Sequence, residues 1–155
     1  IHNRASQISI DETIAIDVAV FKDDRLLDGG PLEIEGEARR VDEGIYLDGS
    51  YRLPLTMACD RCLQPVTEEV TGEIDLLLEE NSEKWRETLK GETLDLASLL
   101  YEDLLLGMPS KVLCDEGCRG LCPVCGTDLN ASTCDCETES VDPRLAALKD
   151  FFKED

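Results

Sequence analysis

Residues 45–78, with the sequence IYLDGSYRLPLTMACDRCLQPVTEEVTGEIDLLL, decide the fold. Apolar side chains occupy nearly every second position before and after the short segment Cys59-Asp60-Arg61-Cys62. Such alternation is typical of strands that bury one face. The stretch therefore predicts a β-hairpin of two long strands with a cysteine knuckle, a pair of cysteines two residues apart on a tight turn, at its tip. Pro54 lacks a backbone N–H, so it predicts an edge strand or a bulge.

The whole chain contains eight cysteines but only one histidine. Thiolates are good zinc ligands, and two of them separated by two residues can hold one tetrahedral ion from a single turn. We therefore predict two zinc ions, each held by four thiolates, and closed four-thiolate sites favour zinc over iron. The candidate ligands are Cys59, Cys62, Cys114, Cys118, Cys122, Cys125, Cys134 and Cys136.

A disulfide framework is the alternative use of so many cysteines. Small secreted domains rely on disulfides when their core is too small, but a chain of 155 residues with 42% hydrophobic composition can bury a core without them. The sequence opens with no apolar run typical of a secretory signal, and it has no apolar stretch of the roughly twenty residues that a membrane helix needs. We therefore expect a cytoplasmic protein with reduced cysteines.

Two pairings of the eight cysteines are open. The compact pairing closes one site within residues 122–136 and joins Cys59 and Cys62 to Cys114 and Cys118. The alternative places the two C-x2-C knuckles on one ion, as in a zinc ribbon, and the remaining four cysteines on the other. Short loops cost less entropy to close, so we favour the compact pairing.

Other segments carry weaker patterns. Alternation predicts strands over residues 14–20 and 32–38, and the polar composition of residues 81–91 predicts a loop or a frayed turn. Leucines spaced three and four apart predict a helix over residues 94–108, with Asp95 as its N-cap. These patterns predict that the helix packs on the sheet.

A last helix is predicted near the end of the sequence, where Asp142 is the N-cap and Pro143 lies in the first turn. The predicted fold class is α+β, a mainly antiparallel β-sheet with two helices and a cysteine-rich zinc-binding region. We expect one domain over residues 1–155. Its parts are a β-rich part at 1–80 with the knuckle at 59–62, the helix at 94–108, the zinc-binding cluster at 111–137 and the C-terminal helix at 142–154.

Charge limits the choice of partners. The 35 acidic and 15 basic residues give a formal charge of −20. Affinity for nucleic acid comes largely from Lys and Arg side chains that release phosphate counterions, so direct nonspecific RNA binding is not expected. A basic protein is a better electrostatic partner, and new ribosomal proteins are among the commonest basic proteins of a cell. Excess acid can also serve solubility alone.

Catalysis is not predicted. The single histidine, His2, lies close to the start of the sequence with no recognisable nucleophile or acid pattern beside it. Closed all-thiolate sites lack the open coordination position of a catalytic zinc. The sequence also has no glycine-rich phosphate loop. We predict that the protein is not an enzyme.

Two further hypotheses remain for the cysteines. Cys134-Asp135-Cys136 fits a redox-regulated zinc chaperone, in which oxidation ejects zinc and unfolds a segment. The C-x-C spacing is also common in plain structural sites, so this hypothesis is the alternative to a structural role. A generic zinc-stabilised module that binds other proteins is the third.

Several motifs follow one another along the chain. They are Cys59-Asp60-Arg61-Cys62-Leu63, Leu94-Asp95-Leu96, Cys118-Arg119-Gly120-Leu121-Cys122-Pro123-Val124-Cys125-Gly126 with Leu129-Asn130, and Asp142-Pro143-Arg144-Leu145. In this combination the sequence resembles the YceD family, the large ribosomal RNA subunit accumulation proteins, from about Pro31 onward.

The resemblance implies a bacterial or plastid protein, non-enzymatic, that is needed for normal accumulation of large-subunit ribosomal RNA and works with ribosome-assembly components. Some family members keep the first knuckle and a downstream pair but lack the cluster at 121–136, which supports the compact pairing. Arg61 and Arg119 lie in the metal loops, and we treat them as candidate partner-binding residues that can contact a phosphate.

Overall fold

The computed structural model describes residues 7–137. Its strands are β1 Gln7–Ile14, β2 Leu26–Gly29, β3 Leu32–Val41, β4 Gly44–Ala58, β5 Pro65–Glu79, β6 Leu89–Lys90 and β7 Thr93–Leu94, and its α-helices are α1 Glu83–Thr88 and α2 Leu96–Gly107. A 3-10 turn at Val18–Phe21 connects β1 to β2. The predicted fold class, a mainly antiparallel sheet with helices and a cysteine-rich region, is confirmed.

Strand β4 organises the sheet. It pairs antiparallel with β5 along its whole length, from Gly44 opposite Glu79 to Ala58 opposite Pro65. Its other edge pairs first with β3 and then with the short β2, while β1 pairs with the far edge of β3. The predicted hairpin of two long strands is therefore present, and the first cysteine knuckle lies at its tip.

The prediction that Pro54 marks an edge strand or a bulge is wrong, because β4 lies in the middle of the sheet. Pro54 sits between the stretch of β4 that pairs with β3, which ends at Arg52, and the stretch that pairs with β2, which begins at Leu55. Its carbonyl accepts a hydrogen bond from the Gly30 N–H at 2.8 Å. The missing N–H therefore falls where the sheet changes partner strands and no ladder bond is lost.

One face of the sheet carries the hydrophobic core. The inward side chains of β3, β4 and β5 pack against α2, which buries Leu99, Leu100 and Leu104. Burying a side chain of this size contributes about 1.5–3 kcal/mol. The Asp95 carboxylate accepts a hydrogen bond from the Ser98 N–H at 3.0 Å, which confirms the predicted N-cap. The predicted helix over 94–108 is therefore found as α2.

The predicted strand over residues 14–20 is wrong beyond Ile14. The chain instead forms the 3-10 turn, in which the Asp17 carboxylate accepts from the Ala19 N–H at 3.0 Å. Phe21 is buried at the end of this turn and stacks on Tyr101 of α2, with ring centroids 5.8 Å apart. Burial of this ring against the helix overrides the local alternation, which is a weaker signal.

The predicted loop over residues 81–91 is also wrong in part, because it contains α1. The Ser82 hydroxyl caps this helix by accepting from the Trp85 N–H at 3.1 Å. Trp85 packs against the edge of the core, and the Arg40 guanidinium lies 5.4 Å from its ring centroid. Tertiary packing stabilises a helix that is too short to be predicted from periodicity.

Two sequence predictions lie outside the described residues. They are the helix over 142–154 and the expectation that His2 takes no part in catalysis. Neither helix in residues 7–137 is long and apolar enough to cross a membrane.

Candidate metal centres

The first cysteine cluster, which we call site 1, joins two distant parts of the chain. Cys59 and Cys62 lie on the turn between β4 and β5, whereas Cys114 and Cys118 follow α2. The four sulfur atoms lie within 4.8 Å of one another. The Cys59 and Cys118 sulfurs are 3.9 Å apart and those of Cys62 and Cys114 are 3.4 Å apart.

Local backbone geometry forms the knuckle of site 1. The Cys59 N–H donates to the Gln64 carbonyl at 2.8 Å, and the Leu63 N–H donates to the Cys59 carbonyl at 3.0 Å. Leu63 adopts a left-handed conformation with φ 62°. This turn aims both sulfurs to the same side, as the C-x2-C spacing predicts.

Reciprocal hydrogen bonds bring the second half of site 1 to the hairpin tip. The Asp60 N–H donates to the Val112 carbonyl at 2.9 Å, and the Val112 N–H donates to the Asp60 carboxylate at 2.8 Å. The Val112 side chain is buried in the core. Arg25 adds an ion pair with Asp60 at 3.7 Å and a hydrogen bond to the Pro109 carbonyl at 3.3 Å. The chain after α2 is therefore fixed to the tip of the sheet by groups other than the cysteines.

Arg61 has an internal role in this region. Its guanidinium donates to the Cys118 carbonyl at 2.7 Å, and its own carbonyl accepts from the Leu121 N–H at 3.0 Å. Gly120 has φ 76°, and a Cβ there would lie 2.9 Å from the Arg61 carbonyl oxygen, so the close approach requires glycine. These contacts explain Arg61 structurally. Binding of a partner by Arg61, or by the exposed Arg119, stays a prediction.

The second cysteine cluster, which we call site 2, is built from one short stretch. Its four sulfurs, which belong to Cys122, Cys125, Cys134 and Cys136, lie within 4.8 Å of one another. The Gly126 N–H donates to the Cys122 carbonyl at 2.8 Å, and Gly126 has φ 75°, the left-handed conformation that glycine adopts without strain. Site 2 therefore forms from contacts within 15 residues.

Polar side chains lie beside a sulfur atom in each site. The Asn130 amide oxygen accepts from the Arg119 N–H at 2.8 Å, and its amide nitrogen lies 3.5 Å from the Cys118 sulfur. The Thr127 hydroxyl lies 3.1 Å from the Cys125 sulfur. Hydrogen bonds to ligand atoms orient the ligands around a metal and tune their basicity. The sequence offered no signal for the roles of Asp60 or Thr127, since a C-x2-C spacing does not specify the residues between or after its cysteines.

The environments of the thiols differ within each site. Burial raises the pKa of Cys59, but hydrogen bonds from the backbone of Cys114, Arg61 and Cys62 outweigh it and lower the pKa to about 6. The neighbouring Cys62 sulfur raises the pKa of Cys114 to about 12. One thiol thus ionises readily while its neighbour holds a proton, because four thiolates repel one another at these distances.

Site 2 shows the same division. The Thr127 hydroxyl is the main cause that lowers the pKa of Cys125 to about 6, and the Cys125 sulfur in turn raises the pKa of Cys136 to about 12. A divalent cation at the centre of such a group stabilises all four thiolates at once, and its binding releases the remaining protons.

The donor sets fit a tetrahedral metal ion. A zinc–sulfur bond of about 2.3 Å gives a tetrahedron with sulfurs about 3.8 Å apart. The sulfur pairs in site 1, at 3.9 and 3.4 Å, bracket this value and are too long for disulfides. Both groups of four cysteines are therefore compatible with metal binding. The sulfurs are grouped as in the compact pairing and not as in the zinc-ribbon arrangement.

Both sites lie in the part of the chain that matches a protein family. Residues 47–152 match the family described as Large ribosomal RNA subunit accumulation protein YceD. The chain belongs to the YceD family. The match includes both halves of site 1 and all of site 2, and the resemblance inferred from the sequence is confirmed.

Similar proteins come from bacteria and plant chloroplasts. An uncharacterized protein of Mycobacterium tuberculosis is 31% identical over 132 residues, which are 80% of this chain and 63% of that protein. The Large ribosomal RNA subunit accumulation protein YCED homolog 1, chloroplastic, of Arabidopsis thaliana is 23% identical over 78% of this chain and 48% of that protein. The uncharacterized protein YlbN of Bacillus subtilis is 24% identical over 94% of this chain and 88% of its own length.

The chain thus spans less than two thirds of the length of the mycobacterial and plant relatives. No solved structure matches the chain.

Proposed function

We propose that this protein is a non-enzymatic, zinc-binding factor that supports accumulation of large-subunit ribosomal RNA. The family match and the names of the plant relatives support this role. In the proposal the chain acts as a single domain in the bacterial cytoplasm, or in the plastid if it comes from a plant. It works by binding other assembly components rather than by catalysis.

The observation that carries the proposal is the construction of site 1. Its four cysteines join the tip of the long hairpin to the segment after α2, so an ion there holds together the parts of the fold that the family match covers. We assign all eight cysteines as zinc ligands, four to each ion. Four thiolates fill the coordination sphere of zinc and leave no position for a substrate, which supports a structural ion and a non-enzymatic protein.

A basic protein of the assembling ribosome is the proposed partner. The formal charge of −20 opposes binding to phosphate backbones and favours binding to Lys- and Arg-rich polypeptides. The proposed protein therefore influences ribosomal RNA through a protein component of the large subunit.

Depletion with rescue tests the proposed function. Cells depleted of the protein are expected to lose large ribosomal subunits and their RNA selectively, as measured by sedimentation profiles and RNA quantification. Wild type should restore the large subunits and their RNA, and so should the control Glu92→Gln, which changes an exposed residue outside both cysteine clusters. Cys62→Ser should not restore them, because this variant lacks one proposed ligand of site 1. An unchanged profile after depletion would contradict the proposal.

A redox-regulated zinc chaperone is the second candidate, and the exposure of site 2 favours it. Cys125 is exposed and Cys134 and Cys136 are half-buried, so oxidants reach this site more easily than site 1. Peroxide should then release one zinc ion and create the ability to prevent aggregation of an unfolded protein. Zinc loss that brings lower stability but no such activity would leave only the structural role.

A further inference from the structure

The sheet has a second face that points away from the core. Residues of β4 with even numbers project to this side, among them Asp48, Ser50 and Arg52, and all three are exposed. Helix α2 packs on the opposite face, where it meets the buried side chains of β4 and β5. This outer face is therefore a sheet surface that no described element covers.

The strand register collects carboxylates on the outer face. Residues directly opposite one another in an antiparallel pair project to the same side. Glu37 lies opposite Asp48, which lies opposite Asp75 on its other side. In the adjacent row, Asp11 lies opposite Glu35 and Glu35 lies opposite Ser50. Ser50 in turn lies opposite Glu73. We call these six carboxylates the acidic face; they are Asp11, Glu35, Glu37, Asp48, Glu73 and Asp75.

Two basic side chains on the same face pair with other groups. Arg52 forms ion pairs with Glu33 at 2.6 Å and Glu69 at 3.2 Å, and the Arg39 guanidinium lies over the Tyr46 ring at 4.5 Å. Within residues 7–137 no ion pair joins a Lys or Arg side chain to any carboxylate of the acidic face. Like charges directly opposite each other in a sheet are destabilising, so this arrangement costs stability that a cationic partner would restore.

The shape of the surface fits long basic side chains. A depression of about 440 Å³ opens on it, with Glu35 and Glu73 on either side of the short side chain of Ser50. The ion-paired Glu33 and Arg52 also line this depression. A Lys or Arg side chain can lay its aliphatic stem in such a depression and place its charge between the two carboxylates. The exposed Leu77, next to Asp75 on β5, adds apolar surface at the margin.

We propose that the acidic face docks an extended, Lys- and Arg-rich segment of a basic protein. This inference rests on the proposed function, because it names the surface through which the protein would bind a basic ribosome-assembly partner. Charge complementarity selects this occupant, since the same carboxylates repel nucleic-acid phosphates.

Binding to a defined cationic probe tests the inference. The probe is a labelled synthetic peptide that repeats Lys-Ser-Arg-Gly, added to the zinc-loaded full chain at physiological ionic strength. The test variant is Glu35→Gln/Asp48→Asn/Glu73→Gln, which neutralises three exposed carboxylates of the acidic face. The matched control, Asp24→Asn/Glu87→Gln/Glu92→Gln, neutralises three exposed carboxylates elsewhere and changes the net charge equally.

If the acidic face is the docking surface, the test variant should bind the peptide roughly tenfold more weakly, since three local charge pairs are lost. The control variant should change the affinity by less than about twofold. Equal weakening in both variants would overturn the inference, because net charge alone would then explain binding. Unchanged binding in both would also overturn it. Circular dichroism and zinc content should be the same for all three proteins, which separates loss of the surface from loss of the fold.

Rescue of depleted cells separates this inference from the proposed function. If the test variant restores large subunits as well as wild type does while Cys62→Ser fails, the proposed function stands and the acidic face is not its docking surface. If only the test variant binds the peptide more weakly but depletion leaves ribosomes unchanged, the acidic face is supported as a docking surface and the proposed ribosomal function is contradicted. Tight binding of ribosomal RNA that the test variant abolishes would overturn the choice of occupant.

Discussion

Site 1 and site 2 have the same chemistry but differ in what they hold together. The cysteines of site 1 come from the β4–β5 turn and from the segment after α2, and Cys59, Cys62 and Cys118 are buried. The cysteines of site 2 come from 15 consecutive residues, and only Cys122 is buried. Two clusters with the same donor atoms therefore differ in how much of the fold they join, because their sequence separation and burial differ.

The largest test of this difference is the removal of one ligand from each site. Cys62→Ser should lower the melting temperature on the order of 15 °C or more, because the proposed ion in site 1 would close a long loop and its binding would be coupled to folding. Cys125→Ser should lower it by about 5 °C or less, since its cluster closes within residues 122–136 and Cys125 is exposed. Thermal circular dichroism and metal analysis check this, and each variant should retain one of two zinc ions.

Equal loss of stability in the two cysteine variants would break the comparison. Loss of both ions from Cys125→Ser would also contradict it, because the sites would then bind as one unit through Cys118 and its neighbour Asn130.

Partial chelation should resolve the two sites in one molecule. A short treatment with a chelator should remove the ion of site 2 before that of site 1, because more of the cysteines of site 2 are exposed. Amide hydrogen exchange should then increase in residues 122–136 and stay slow in β4 and β5, because local opening leaves the core packed. Simultaneous exchange of both regions would show that the ions stabilise one cooperative unit.

Asp60 tests whether site 1 is preformed by the protein. Asp60→Ala removes the carboxylate that accepts from the Val112 N–H at 2.8 Å, and should reduce the free energy of unfolding by about 1–2 kcal/mol in the zinc-loaded protein. Asp60→Asn keeps an acceptor and should recover most of this loss. Urea unfolding measures both variants. An Asp60→Ala protein as stable as wild type would mean that this carboxylate does not help to hold the two halves together.

The smallest test compares the residues that follow the two knuckles. Leu63, with φ 62°, and Gly126, with φ 75°, share the left-handed conformation. Gly126→Ala should destabilise the protein by about 1 kcal/mol, as a Cβ is disfavoured there. Leu63→Gly should stay within about 0.5 kcal/mol of wild type, because relief of this strain offsets the greater freedom of glycine in the unfolded chain. Urea unfolding with site-resolved zinc analysis distinguishes the two effects.

Much of the fold was predictable because its signals are local. Alternation over residues 45–78 predicted β4, β5 and the position of the first knuckle, and Asp95 with the leucine spacing predicted α2. The cysteine spacings also predicted two groups of four, and loop length favoured the grouping that the structure has. Local periodicity failed where a distant side chain decides the backbone, as at Phe21, and where a central strand changes partners, as at Pro54.

Local patterns were therefore enough to predict the hairpin, the main helix and cysteine spacings compatible with metal binding, since each depends on residues close together in the chain. The order of several such motifs along the chain predicted the family. Only the tertiary structure decided that Asp60 binds the backbone of Val112 and that Arg61 donates to the Cys118 carbonyl. It also decided that Glu35 and Glu73 lie on either side of Ser50. These contacts join residues far apart in sequence, and their geometry follows from strand register and from the packing of α2, which no local pattern encodes.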